Sequence, residues 1–497
     1  MEVDISYSLN FLRKINNLTI NGKSIDTHFV ENEYSLWSFQ QFYLLSQIKE
    51  FSQYKTSDTY KKTKKENDSF FVTLNVTAMN IFIVFISFLA LVKLYVLRPK
   101  LLLFCSDILK HGTRFNPRIY TIYLALQKEQ IPFFEIVHTV GGKKVISNFI
   151  KLRRLVFYSE SINALFGWCK KREEEMRDNL LLEKVSLDAF SESEKKFVYE
   201  LLERTFENIR ITRFKIKILR RILSQSSIST FVTIDDIRHT NEIIAACRSV
   251  GVHSCIYQHS NFDYLIGLEQ LPPDRYVFPD TFLVWNDYWY KRIPELSPVF
   301  FANKDRLKIG GRAYAFTPGE CKEENRGEKT EDSSVSVFIP YEVNLSTSHI
   351  RPYMEAMVQD SRINIFLLLR DDVDSETQIR KYFVPTDLDN PRVTIVRSTE
   401  KAETFKKVDI VLGVYSGFLD ESVEICRPVG IFETEYPVFN QLDEGGVADK
   451  VTLGNNGLYA QLLAIKNTPY EIRKERREKF LSGAGDSQKS VLEILAT

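Results

Sequence analysis

An excess of charge of either sign is what this chain most conspicuously lacks. Its 66 lysines and arginines meet 65 aspartates and glutamates, leaving a formal net charge of +1 over 497 residues. No global field draws the protein to a polyanion, so nucleic acid is excluded as the default partner. Paired cysteines are missing too. The six, at 105, 169, 247, 255, 321 and 426, are scattered without a CxxC pair or metal-type spacing, so the expectation is reduced thiols and no metal site. The amino terminus, with Glu2 and Asp4 close to Met1, does not have the basic-then-apolar pattern of a secretory signal. What the chain has is length: 497 residues exceed a single hydrophobic core and imply two or three domains.

Residues 1–68 form an aromatic-rich, amphipathic extension. In YSLWSFQQFYLLSQIKEF, Leu36, Phe39 and Tyr43 fall at helical spacing, with Trp37, Leu44 and Ile48 on an adjoining face. Such a helix either lies at a membrane interface or packs on its own domain. A lysine-rich stretch, YKKTKKEND, follows. Residues 69–92, SFFVTLNVTAMNIFIVFISFLALV, carry no charge and are long enough to cross a hydrocarbon core as one helix. The hydrophobic segment is taken as 69–97 and as membrane-associated. Its polar Thr73, Asn75, Thr77 and Asn80 leave a buried core helix or a strand hairpin as alternatives, and lysines on both flanks give no orientation.

From Arg98 apolar strand-like runs alternate with helical patterns, which implies α/β architecture with parallel sheets. PKLLLFCSD and IPFFEIVHTVGG are the first strands, with Glu135 and His138 towards the carboxyl end of the second, where ligands collect in open α/β sheets. Residues 145–225 are a charged helical insertion. Its charge runs fit solvated faces, while ITRFKIKILRRIL is basic and amphipathic enough for a membrane surface or an acceptor. STFVTIDDIRHTNEIIAACRSVGVHSCIYQHS then brings Asp235, Asp236, Arg238 and His259 to strand ends. His259 suits an acid, a base or a phosphate contact, or a structural hydrogen bond. The polar stretch 319–334 is the linker between a first domain, 98–318, and a second, 335–497.

Within the second domain DIVLGVYSGFLDESVEICRPVGIF, residues 409–432, spells strand, turn, helix, strand. A Ser416-Gly417 turn at a helix start offers backbone N–H groups and the positive end of the helix dipole to a phosphate. Glu421, more than a turn further on, could accept hydrogen bonds from a ribose. The alternative is an ordinary capped helix.

Four motifs recur in a fixed order: Gln258-His259-Ser260 at a strand end, PDTFLVWNDYW, LKIGGR, and Gly413, Ser416, Gly417, Glu421 and Pro428 in the last third. This order resembles the GT-B glycosyltransferases, more narrowly the bacterial and archaeal enzymes of surface-polysaccharide biosynthesis. Ser260 stands where those relatives have glycine, and Gly417 where they have threonine. The resemblance covers residues 98–465. It implies two Rossmann-like domains facing a cleft, behind the helical, membrane-associated extension. It also implies a nucleotide-sugar donor in the second domain and a glycan or lipid-linked acceptor in the first. No metal or cofactor is implied, since helix termini and a cation, best Arg370, would hold the leaving diphosphate. Asp236 or His259 would take the acceptor proton in an inverting reaction. The expected protein is a membrane-associated glycosyltransferase with cytoplasmic catalytic domains. A nucleotide-sugar epimerase of the same shape, transfer of a phosphopolyol, or a GT-B-like scaffold without catalysis are the alternatives.

Overall fold

The computed structural model describes residues 5–54, 70–106, 116–138, 155–169, 172–234, 237–258, 271–296, 304–314, 334–342, 345, 347–370, 374–434, 441–454 and 457–496.

The extension is a packed unit. Helix α1 (Ile5–Asn16) and helix α2 (Gln41–Tyr54) flank two small antiparallel hairpins. The first hairpin turns on Asn21 and Gly22, both at positive φ (50° and 76°), as a two-residue primed turn requires. Trp37, Leu44 and Ile48 are fully buried. The Trp37 indole N–H donates to Asn16 Oδ1 at 2.9 Å, and Asn16 in turn donates to Gln41 Oε1 at 2.8 Å. Phe51 stacks on Phe197 with ring centroids 3.8 Å apart, which ties the extension to the helix that carries Phe197. Of the two readings of this aromatic stretch, packing on its own domain describes Trp37, Leu44 and Ile48.

Residues 70–97 form a single helix, α3 (Phe70–Leu97), not a strand hairpin. It neither stands free nor sinks into a core. Ile83, Ile86, Ala90 and Leu94 are buried, and Ser87 Oγ accepts the Tyr158 N–H at 3.0 Å, so the helix covers an edge of the first sheet. The opposite face carries Ile81, Phe85, Phe88, Val92 and Val96, with Phe88 60% and Val96 73% exposed. By length and composition α3 could cross a membrane.

The first sheet has seven parallel strands: β1 (Leu101–Ser106), β2 (Phe133–His138), β3 (Phe157–Tyr158), β4 (Thr230–Ile234), β5 (His253–Tyr257), β6 (Thr281–Val284) and β7 (Leu307–Ile309). They lie in the order β7-β6-β5-β4-β1-β2-β3. Runs such as Thr-Phe-Val-Thr-Ile in β4 are buried throughout, the pattern of a strand covered on both faces. Helix α4 (Tyr120–Lys128) follows β1, and α5 (Glu160–Trp168) follows β3. Next come α6 (Arg172–Leu182) and the 33-residue α7 (Glu192–Ser224). The latter starts at a capping box in which the Ser191 N–H donates to Glu194 Oε2 at 2.9 Å. Leu219, Ile222 and Leu223 of the basic amphipathic stretch point into the core, so those apolar residues serve packing. Helix α8 (Ile237–Val250) follows β4, and α9 (Asp287–Leu296) follows β6.

The second sheet has six parallel strands: β8 (Val335–Pro340), β9 (Ile363–Leu368), β10 (Val393–Val396), β11 (Ile410–Gly413), β12 (Val429–Phe432) and β13 (Asp449–Val451). Their order is β10-β9-β8-β11-β12-β13. Helices α10 (Thr347–Gln359), α11 (Ser375–Tyr382), α12 (Lys401–Lys407), α13 (Gly417–Glu424) and α14 (Leu458–Lys466) connect or flank them. The two Rossmann-like domains expected from the sequence are present.

The end of the chain joins the two. Helix α15 (Tyr470–Leu481) packs against both α13 and α9. Beyond it α16 (Ser487–Ala496) returns to the first sheet, where Ser487 Oγ lies 2.7 Å from Thr121 Oγ1 and Ser490 Oγ lies 2.6 Å from Tyr257 OH. At the crossing, Gly485 meets Gly311 backbone to backbone: a Cβ on Gly485 would come 2.4 Å from the Gly311 nitrogen. Gly311 of LKIGGR serves this close approach, while a Cβ on Gly310 would meet the Leu283 side chain at 2.7 Å. Cys169, Cys247 and Cys255 are free thiols, while Cys426 is disulfide-bonded. That corrects the expectation of wholly reduced cysteines, because scattered positions in sequence say nothing of proximity in the fold.

Candidate functional site

In each sheet the strand order reverses once, between β1 and β4 in the first and between β8 and β11 in the second. Crevices at such switch points, at the carboxyl ends of the strands, are where open α/β sheets bind ligands. The second switch point carries most of the residues singled out from sequence. Strand β11 ends at Gly413, the chain turns through Val414 and Tyr415, and α13 begins at Gly417 with Ser416 as its N-cap. Ser416 Oγ accepts the Phe418 N–H at 3.3 Å. Gly417 is exposed, and a Cβ there would meet nothing within 4 Å, so the helix start is approachable.

The other side of this crevice holds a residue that sequence reasoning missed. Two residues beyond β8, the carboxylate of Glu342 reaches across to the turn. Its Oε1 accepts the N–H groups of Val414 at 3.0 Å, Tyr415 at 2.7 Å and Ser416 at 2.6 Å, and its Oε2 accepts that of Val414 at 3.0 Å. Glu342 is 2% exposed. Burial pushes its pKa up to about 7, and the backbone donors, helped by the Lys381 charge, offset only part of that. Three successive backbone donors form an anion-binding nest, and a side chain of the protein itself fills it. A Cβ on Gly413 would sit 3.2 Å from Glu342 Oε1, close enough that the carboxylate would have to shift. The only sequence signal was an acidic residue shortly after an apolar strand, and nothing local marks β8 as the neighbour of β11.

Glu421 lies on α13 with its carboxylate half-exposed and 3.1 Å from Lys401 Nζ. Lys401 also sits 4.1 Å over the Phe418 ring. Arg370 follows β9 at the same carboxyl edge of the sheet. It is held through its backbone, its N–H donating to Gln378 Oε1 and its carbonyl accepting from Gln378 Nε2, both at 2.7 Å, while the residue itself is exposed. Two strand spacings, roughly 10 Å, separate β9 from β11. Gly413, Ser416, Gly417 and Glu421 thus share one strand–turn–helix unit, and Arg370 stands on the same edge of the sheet.

From the first domain, Arg312 reaches α13. Its guanidinium lies 4.4 Å over the Trp285 ring and 5.5 Å from the Tyr314 ring, and it pairs with the fully buried Glu424. Burial lowers its pKa, opposed by Tyr314, Asp420 and Glu421. Arg477 Nε donates to the Glu424 carbonyl at 2.6 Å, and Arg292 pairs with Glu444. The buried Arg312–Glu424 pair therefore ties the inner side of α13 to the first domain; in its first turn Phe418, Leu419 and Asp420 are buried as well, and only Gly417 is exposed, with Glu421 half-exposed.

In the first domain, Asp236 and His259 lie outside the described residues, as do Asp235 and Ser260. Of the other strand-end residues, Glu135 is buried and accepts the Tyr123 hydroxyl at 2.5 Å, while His138 Nδ1 lies 2.5 Å from Glu160 Oε1. Among the described residues no group of three or more His, Cys, Asp or Glu side chains is arranged to hold a metal ion.

Two α/β domains, each with a single strand-order switch point, define the fold class. The chain is similar to several solved structures. Acinetobacter baumannii MurG is 11% identical, with a TM-score of 0.43, over 80% of this chain and 99% of that one. The UDP-GlcNAc 2-epimerase of Methanocaldococcus jannaschii is 11% identical, with a TM-score of 0.45, over 80% and 99%. CalG4, the calicheamicin glycosyltransferase, is 12% identical, with a TM-score of 0.45, over 80% and 98%. At such identities and TM-scores below 0.5, these likenesses assign no chemistry to the chain. No family model matches it, and no curated protein does.

Proposed function

We propose that the protein is a glycosyltransferase that moves a sugar from a nucleotide-activated donor to a surface-glycan or lipid-linked acceptor. The observation that carries this reading is the approachable start of α13 at the second switch point, with Ser416 as N-cap and Glu421 on the exposed side of the same helix. The Gly417 N–H and the dipole of α13 face a donor diphosphate, Glu421 accepts ribose hydroxyls, and Arg370 adds positive charge at the same edge. Because Glu342 fills the nest at 414–416, the diphosphate lies above Gly417 and not inside the turn. Asp236 and His259 remain the proposed acceptor-side base. The protein needs no metal in this scheme.

Membrane association belongs to the same proposal. From Ile83 onward one face of α3 is packed on the first domain. The residues before it, about 13 at 1.5 Å each, span only about 20 Å, short of the roughly 30 Å of a hydrocarbon core. The helix therefore lies along the bilayer surface on its exposed apolar face, with Lys93, Arg98 and Lys100 at the headgroups, and the catalytic domains sit on the cytoplasmic side.

One observation favours a second reading, a scaffold that has lost nucleotide binding: the nest best suited to a phosphate is filled by Glu342. A thermal-shift screen of nucleotides and nucleotide sugars separates the two. A shift with one base family supports the transferase and names its donor class, whereas no shift with any nucleotide leaves the scaffold. A donor that turns over to its epimer without acceptor would overturn transfer.

A further inference from the structure

We propose that the N-terminal extension and the first Rossmann-like domain together form a pocket for a neutral sugar ring. A cavity of about 350 Å³ lies between α2, α5, α7 and α8, within the range of about 300–1,000 Å³ typical of small-molecule sites. Phe39, Phe42 and Tyr43 of the extension form one wall. Asn208, which hydrogen-bonds Tyr43, together with Asn241 and the Lys215–Glu242 pair supplies donors and acceptors to the same cavity. The C–H face of a pyranose packs on aromatic rings, and its rim of hydroxyls needs groups that both give and take hydrogen bonds, which amides do.

Charge narrows the ligand class. Among the described residues Lys215 and Glu242 are the only charged ones in the lining, and they pair with each other at 3.3 Å with side chains 14% and 11% exposed. The described wall of the pocket is neutral overall, which disfavours a phosphate or an ammonium ion as occupant and favours a polyhydroxy one. The location agrees. Asn241 and Glu242 stand in the opening turns of α8, just beyond the carboxyl end of β4 at the first switch point. Asn163, exposed and in the pocket lining, belongs to α5, which packs against α3. The pocket is therefore one helix away from the exposed apolar face of α3, within reach of a sugar carried on a lipid. Naming this sugar the acceptor rests on the transferase reading; the pocket itself does not.

The test uses the full chain without nucleotide. Saturation-transfer NMR is run with methyl glycosides of glucose, galactose, mannose and N-acetylglucosamine, with glucose 1-phosphate as the charged control, and with a monoglucosyl diacylglycerol in phospholipid nanodiscs. Asn163→Trp, on the exposed face of α5 at the pocket lining, and Asn241→Leu, in the pocket lining, are expected to weaken glycoside binding at least tenfold with an unchanged far-ultraviolet circular dichroism spectrum and unchanged thermal unfolding. Binding of the free glycosides points to a soluble source, and binding of the glycolipid alone to a membrane-borne one. The proposal is overturned if none of the sugars binds, if both variants bind as the wild type does, or if glucose 1-phosphate binds more tightly than the neutral glycosides. Calorimetry with nucleotides on the same wild-type sample keeps the two readings apart, because a chain that binds glycoside but no nucleotide retains this pocket and loses the transferase.

Discussion

Glu342 and Ser416 lie 74 positions apart in the chain, yet the Ser416 N–H donates to the Glu342 carboxylate at 2.6 Å. The contact stitches β8 to β11 across the switch point and makes the turn before α13 a rigid, internally neutralised platform.

Its first consequence is a pH dependence. Glu342 holds its proton up to about pH 7 in the folded protein, against 4.5 ordinarily. Stability from this group is complete below pH 4.5 and is lost as the pH rises through 7, because over that window the folded state binds more protons than the unfolded chain. The shift corresponds to an effect on the order of 3 kcal/mol. Urea unfolding at pH 5 and pH 8 should show that loss in the wild type and a much smaller one in Glu342→Gln; equal losses would show that Glu342 does not titrate in this window.

Arg312→Ala should destabilise the protein by about 3–5 kcal/mol, the cost of leaving a buried carboxylate without its partner. Glu424 is fully buried beneath it. Denaturant unfolding measures the loss, and the paired change Arg312→Met with Glu424→Leu should recover most of it.

Gly485→Ala places a methyl 2.4 Å from the backbone nitrogen of Gly311. Neither backbone can yield cheaply, so a loss of about 2 kcal/mol or more is expected. Gly417→Ala, which meets nothing within 4 Å, should stay within about 0.5 kcal/mol in the same thermal unfolding assay.

Ser416→Ala removes the N-cap of α13 and should cost about 1 kcal/mol of stability. With Glu421→Ala it should also weaken nucleotide binding. Calorimetry that finds unchanged affinity in both variants would move the donor site away from α13.

Phe88→Asp together with Val96→Asp puts two charges on the exposed face of α3 and leaves its buried face intact. Vesicle flotation should then recover the protein in the unbound fraction, with thermal stability unchanged. Flotation equal to wild type would mean that another surface holds the lipid.

How much of this could be seen in sequence varies by element. Alternating apolar runs announced two parallel sheets, and 409–432 was legible as strand, turn and helix because its glycine, serine and proline punctuate locally. Residues 69–92 were legible as one apolar segment, but which side of α3 docks on β3 depends on Ser87 and Tyr158, 71 positions apart. The paired reading of Asp236 and His259 falls on residues outside those described, and Glu342 gave no local signal at all.

The sequence by itself determined the alternation of strands and helices, the neutral charge balance, the apolar helix and the capped start of α13, since each follows from short-range periodicity and turn chemistry. Tertiary structure alone decided that Glu342 fills the turn beside Ser416, that Arg312 locks α13 to the first domain, and that the extension closes a pocket with α7 and α8. Those contacts join residues far apart in the chain, and strand order, which no local pattern encodes, is what brings them together.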